Sequence, residues 1–240
     1  MALTRTLAMP LGLPGHGRHV ASRPFRSSAN PFRALLGGRR PRFLRGPRLE
    51  RTLTAPVIIT ERLKLRPHQL RDADEWYAIQ SNPRVLRHID WPPRDRSESR
   101  RHLLHRTRHT RLLQSGDFLA LAVLRDDRLI GDVSQHLRAV EPENRSAEIG
   151  WVFDPEVSGH GYATEASRAM LKFAFTELGA RTVTARIRSA NRPSIALAER
   201  LGFVGASDGT TWALDAADAT AVRELRQYSI VSAIGESRAA

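Results

Sequence analysis

The sequence predicts one mixed α/β (α+β) domain built on a twisted sheet, and three observations point there. Segments with a two-residue apolar period alternate with segments of helical period in the order β-α-α-α-β-β-β-α-β-α-β-β, with no internal repeat. Near the middle, a strand pattern runs through a glycine-bearing turn directly into an amphipathic helix. Finally, 41% of the 240 residues are hydrophobic, ample for a buried core. No apolar run approaches the roughly 20 residues a membrane helix needs, so a soluble, cytoplasmic protein is expected. The chain has no cysteine, which excludes disulfides, thiolate zinc sites and cysteine nucleophiles.

The net charge of +13 is unevenly spread. Residues 1–51 hold eleven arginines against a single acid, Glu50, while the remainder of the chain is near balance and carries no global nucleic-acid signature. Residues 1–55 are rich in Arg, Pro and Gly, lack any sustained period, and are expected to be a disordered leader. An organelle transit peptide and a nucleic-acid-binding arm are two readings of such a composition. The plainer one is an inert leader, or a start codon assigned too far upstream, because arginine bias pervades the whole chain. The domain is then expected over 56–233, with a disordered tail over 234–240.

Val57 to Arg66 reads as the opening strand, alternating about Ile59, Leu63 and Leu65, with Pro67 ending it. Asp72–Gln80 and Pro83–Ile89 read as short helices, followed by Trp91; Trp76, Tyr77 and Trp91 are candidates to line an acceptor groove or, more plainly, to pack the core. Asp95 with Glu98 forms a capping box for a long helix that Gly116 should close. His102, His105 and His109 share a face of it. Five surrounding arginines repel a cation there, and no carboxylate or thiol completes a shell, so no metal is expected. Phe118–Leu124 and Leu129–Leu137 form a hairpin through Asp126-Asp127, and Ala147–Phe153 is the central strand. The next helix carries Ala166, Met170, Phe173 and Ala174 on one face and stops at Gly179. Thr182–Arg188 alternates cleanly, Asn191 caps a helix through Leu201, and Phe203–Ala206, Thr211–Leu214 and Leu225–Val231 supply the closing strands.

A strand, a glycine turn and a helix start form a device for holding phosphate, since small residues admit close approach and unpaired N–H groups face the anion. A dinucleotide fingerprint would need Gly or Ala where Thr164 stands, and no Gly-Lys-Ser/Thr triplet occurs. The remaining pattern places Ser158, Gly161 and Ala163 first, fourth and sixth. It resembles the acetyl-coenzyme A loop of the GNAT superfamily of N-acetyltransferases. Ala147-Glu148-Ile149-Gly150-Trp151, the Gly-Tyr-Ala-Thr-Glu-Ala run from Gly161, Asn191-x-x-Ser194 and Leu201-Gly202-Phe203 resemble its RimJ/RimL-like branch, as does Thr60-Glu61-Arg62-Leu63-x-Leu65-Arg66. The resemblance covers about residues 57–232.

That resemblance implies the GNAT acyl-CoA N-acyltransferase fold, a twisted mixed sheet with a splayed central strand pair flanked by helices. It implies acetyl-CoA as co-substrate, held by the strand backbone at Trp151, Val152 and Phe153. The loop Ser158, Gly159, His160, Gly161, Tyr162, Ala163 and Thr164 would take the pyrophosphate, with Asn191 as a positioning hydrogen-bonder. Ser158 departs from the Arg or Gln the superfamily prefers, so the backbone amides must do more. The acceptor would be a primary amine, on a protein N-terminus or a small molecule, and the protein a monomer or homodimer. Glu148 is the first choice of general base, although strand alternation could equally turn it away; His136 and then Glu61 follow. Many relatives place a tyrosine acid seven residues after the Asn, where Ala198 stands here, so the role passes to Ser194 unless that hydroxyl only satisfies a first-turn amide. A CoA-binding sensor without activity, or a nucleic-acid-associated protein acting through the leader, are the alternative functions.

Overall fold

The computed structural model describes residues 46–219 and 229–231. The leader over 1–45, the tail over 234–240 and the beginning of the strand expected at Leu225 lie outside the described residues. Among the described residues, nine strands make one sheet in the order β11-β2-β3-β5-β6-β7-β8-β10-β9. These are β2 (Val57–Ile59), β3 (Lys64–Pro67), β5 (Phe118–Arg125), β6 (Arg128–Ala139), β7 (Ser146–Phe153), β8 (Thr182–Arg186), β9 (Val204–Gly205), β10 (Thr211–Asp215) and β11 (Ser229–Val231). All pair antiparallel except β7 with β8. The helices are α1 (Ala73–Ser81), α2 (Pro83–Leu86), α3 (Arg96–Arg108), α4 (Tyr162–Thr176) and α5 (Arg192–Arg200).

Strand alternation sorts the side chains into two cores. Leu119, Leu121, Val133, Leu137, Ala147 and Ile149 face α4 and α5, meeting Ala166, Met170, Phe173 and Leu197 in the larger cluster. Ala122, Leu124, Leu129 and Val152 face the other way, onto Trp76 and Ile79 of α1 and Leu103 of α3. The β5–β6 hairpin turns on Asp126 and Asp127, whose φ values of 49° and 58° are those of a two-residue turn matched to right-handed strand twist.

Three expectations are corrected. The opening strand is two strands, because Thr60 folds the chain back: its N–H donates to Leu63 O at 2.9 Å, and its Oγ1 accepts from Leu63 N at 3.0 Å. The helix begun at Asp95 stops at Arg108, well before Gly116, and Arg111–Gln114 is a strand, β4. Gly116, at φ +91°, serves the β4–β5 turn instead. The partner of β4 is β1 (Arg48–Thr54), which lies inside the stretch assigned to the leader. It buries Leu49 and Leu53 in the main core at 6% and 5% exposure, so ordered structure begins well before residue 55.

Candidate active site

The site is built on the sheet's single parallel contact. β7 pairs with β8 only at Ser146, Ala147 and Glu148, opposite Thr182, Val183 and Thr184. From Ile149 onward the two strands separate, while β7 keeps its other edge on β6 as far as Phe153. The opening is a cleft of about 960 Å³ with Trp151, Val152 and Phe153 along one wall and Asn191, Pro193, Ser194 and Leu197 along the other. Its floor is the loop that follows β7. Here Asp154 caps a 3-10 turn over Pro155–Val157, Gly159 and Gly161 take φ +83° and +80°, and Gly161 becomes the N-cap of α4. The first bond closing the helix runs from Glu165 N to Gly161 O at 3.0 Å. The N–H groups of Tyr162, Ala163 and Thr164 therefore have no acceptor within the helix, and all three residues line the cleft.

Ser158 carries no charge, and positive charge reaches the loop from elsewhere: Arg62, Arg168 of α4 and Arg200 of α5 line the same cleft. Sequence reasoning missed them, although Arg62 lay within a motif quoted for its resemblance alone. His160 turns back on its own loop, with Nδ1 3.0 Å from Ser158 O and its ring stacked 5.6 Å from that of Tyr162.

On the α5 wall, Asn191 Oδ1 accepts from Ser194 N at 3.2 Å, so the asparagine side chain caps the helix. Ser194 is thereby relieved of that duty. Its Oγ accepts from Trp151 Nε1 at 3.2 Å, which leaves the hydroxyl proton free to be donated.

Glu148 lies on the opposite face of β7 and does not line the cleft. Its Oε2 accepts from Arg138 Nη2 at 2.8 Å, and across the strand pair it faces His136. The His136 ring stacks on Phe118 at 5.1 Å; burial pushes its pKa down to about 4, with Arg138 and Arg106 adding to the shift, which leaves it a weak base. Glu61, by contrast, lines the cleft beside Arg62. Trp76 is fully buried core, and neither it nor Tyr77 or Trp91 lines the cleft. His102 stacks on Trp76 at 6.1 Å and meets Trp91 edge-on at 5.6 Å, while His105 and His109 lean on Phe118. Among the described residues, no three His, Asp or Glu side chains are placed to hold a metal ion.

The sequence profile of the acetyltransferase (GNAT) domain matches residues 62–204, which span the site from the β2–β3 turn to β9. The chain belongs to the GNAT acetyltransferase family. It is 29% identical over 147 residues to the uncharacterized N-acetyltransferase p20 of Bacillus licheniformis, a match covering 61% of this chain and 82% of that protein. An acetyltransferase from Agrobacterium tumefaciens shares its fold with a TM-score of 0.51 at 26% identity, over 67% of this chain and 94% of that one. Mycobacterium smegmatis RimJ, solved in complex with CoA-disulfide, does so with a TM-score of 0.55 at 22% identity, over 71% and 90% of the two chains. As a GNAT member the chain is an acyltransferase, and its fold implies acetyl-CoA binding. The residues present suit that ligand: an open strand edge for a pantetheine amide chain, and an uncapped helix start with three arginines for phosphate.

Proposed function

We propose that the chain is a RimJ/RimL-like N-acetyltransferase that moves an acetyl group from acetyl-CoA to a primary amine, on a protein N-terminus or a small molecule. The observation carrying this reading is the separation of β7 from β8 above a phosphate-type loop. Acetyl-CoA supplies an acyl carbon activated as a thioester: the amine nitrogen bonds to it as the carbon–sulfur bond breaks. The open edge of β7 holds the pantetheine arm as an added strand, at Trp151, Val152 and Phe153, and offers a backbone N–H to the thioester oxygen. Ser194, aligned by the Trp151 indole, gives its hydroxyl proton to the departing thiolate. Glu148, on the other face, takes the proton from the incoming ammonium directly or through water, its carboxylate being kept in place by Arg138. Acid and base thus flank the strand, Ser194 on the co-substrate side and Glu148 on the opposite face of β7, from which the acceptor would approach.

Two features favour a second reading, a CoA-binding module without turnover: Ala198 in the tyrosine position, and a base candidate held in an ion pair. Release of free thiol from acetyl-CoA, followed across a panel of amines and N-terminal peptides, tests the choice. Turnover with at least one acceptor is expected. CoA binding by calorimetry with no turnover on any acceptor would support the sensor instead.

A further inference from the structure

Glu165 is a carboxylate at 8% exposure in the first turn of α4, the turn that offers its N–H groups to phosphate. A charge so placed raises two difficulties. It must find donors to replace water, and it sets a negative charge where an anion should bind. Both are met from the Thr60–Leu63 turn, more than a hundred residues away in sequence. Oε1 accepts from Thr60 Oγ1 at 2.6 Å and from Arg62 N at 3.0 Å. Oε2 accepts from Arg62 Nε at 2.8 Å and lies 2.6 Å from Nη2. The third guanidinium nitrogen, Nη1, donates to the carbonyl of His160 at 3.0 Å, and the guanidinium carbon lies 4.8 Å from the centre of the Tyr162 ring.

We propose that Arg62 is the positioning residue of the phosphate-binding loop, its guanidinium tying Glu165 to the His160 carbonyl and so fixing the left-handed turn at Gly161. The proposal rests on the reading that this loop receives the pyrophosphate of acetyl-CoA. Because the peptide unit is planar, holding the His160 carbonyl toward Arg62 directs the Gly161 N–H the opposite way. A Cβ built on Gly161 would lie 3.6 Å from Nη2, so the guanidinium sits directly against the turn it holds. Its charge also cancels that of Glu165, so the first turn of α4 does not present an uncompensated negative charge to the pyrophosphate, and the side chain stays 44% exposed at the cleft. Only a planar fork with several donors reaches a carboxylate and a carbonyl together, which a lysine ammonium on a flexible stem does not reproduce. The Thr60-Glu61-Arg62-Leu63 segment thereby gains a role in co-substrate binding.

The test is calorimetry with CoA on the wild type, Arg62→Ala and Arg62→Lys, together with the ratio of kcat/KM for acetyl-CoA to that for S-acetylpantetheine, which lacks the pyrophosphate. Arg62→Ala should weaken CoA at least tenfold and lower that ratio by a similar factor. Arg62→Lys, which still pairs with Glu165 and keeps the fold should the alanine variant lose it, should weaken CoA at least threefold. CoA affinity within twofold of wild type in both variants would overturn the role. So would an equal loss on both thioesters, which marks general disruption. A wild type that binds no CoA overturns the reading of the loop itself, and this role with it; a wild type that binds and variants that bind equally well remove Arg62 alone.

Discussion

Glu148 and Trp151 are three positions apart on one strand, an odd spacing that sends their side chains to opposite faces of the sheet. The proposed base therefore lies on the opposite face of β7 from the Trp151 indole, to which the proposed acid, Ser194, is hydrogen-bonded. Glu148→Gln should lower kcat by about a hundredfold, the low end for a lost general base. Ser194→Ala should cost about tenfold, since water can protonate a thiolate of pKa about 8.5. Both are read from steady-state kinetics, and both should move kcat more than CoA affinity. At Gly161 the constraint is conformational. An added Cβ meets only Arg62 Nη2 at 3.6 Å, an ordinary contact, but φ is +80°, where a β-branched side chain is strained by about 1–2 kcal/mol. Gly161→Val should abolish CoA binding by calorimetry while the thermal midpoint falls only a few degrees.

Among the elements, the β1–β4 ribbon carries weight that its place beside the main sheet conceals. It inserts Leu49, Leu53 and Leu112 into the core, and Glu50 pairs with Arg145 at 2.6 Å. A chain starting at Thr54 loses two buried leucines, roughly 3–6 kcal/mol together, and should melt on the order of 10 °C below one starting at Gly46. Helix α3 brings His102 against α1, where Gln80 Nε2 donates to its Nδ1 at 2.7 Å. Burial, with Arg106 and Arg94, pushes the His102 pKa down to about 3. The unfolded chain, with a histidine pKa of about 6.5, then binds the proton that the folded state refuses. The stability tied to His102 is complete above pH 6.5 and is lost as pH falls toward 3; His136 behaves alike down to about 4. Denaturant melts at pH 7, 6 and 5 should show falling stability, and His102→Gln should flatten the slope by on the order of 1 kcal/mol per pH unit.

Across the molecule, what was legible in the sequence was what neighbours in sequence decide. The Asp126-Asp127 hairpin, the Asn191 cap, the stop at Gly179 and the run from β7 through the loop into α4 all rest on signals within a few residues. What was not legible depends on distant partners. Arg111–Gln114 continues a helical stretch and becomes a strand because Arg48–Thr54 pairs with it. Thr60 breaks what reads as one strand in a turn whose hydroxyl also bonds Glu165. Cations from three separate elements surround the phosphate loop, and no local pattern places them together.

The parting of β7 from β8 has a consequence for the lifetime of the protein. A sheet that stops pairing half-way along a central strand lacks a row of hydrogen bonds at its middle, and on the proposed reading the co-substrate supplies that row. Occupancy then adds directly to the free energy of unfolding, by about 2.7 kcal/mol at a hundred times Kd. A cell short of acetyl-CoA would hold this enzyme in its more easily opened form, exposed to proteases in proportion, so that supply of the acetyl donor sets how much enzyme survives as well as how fast each copy works.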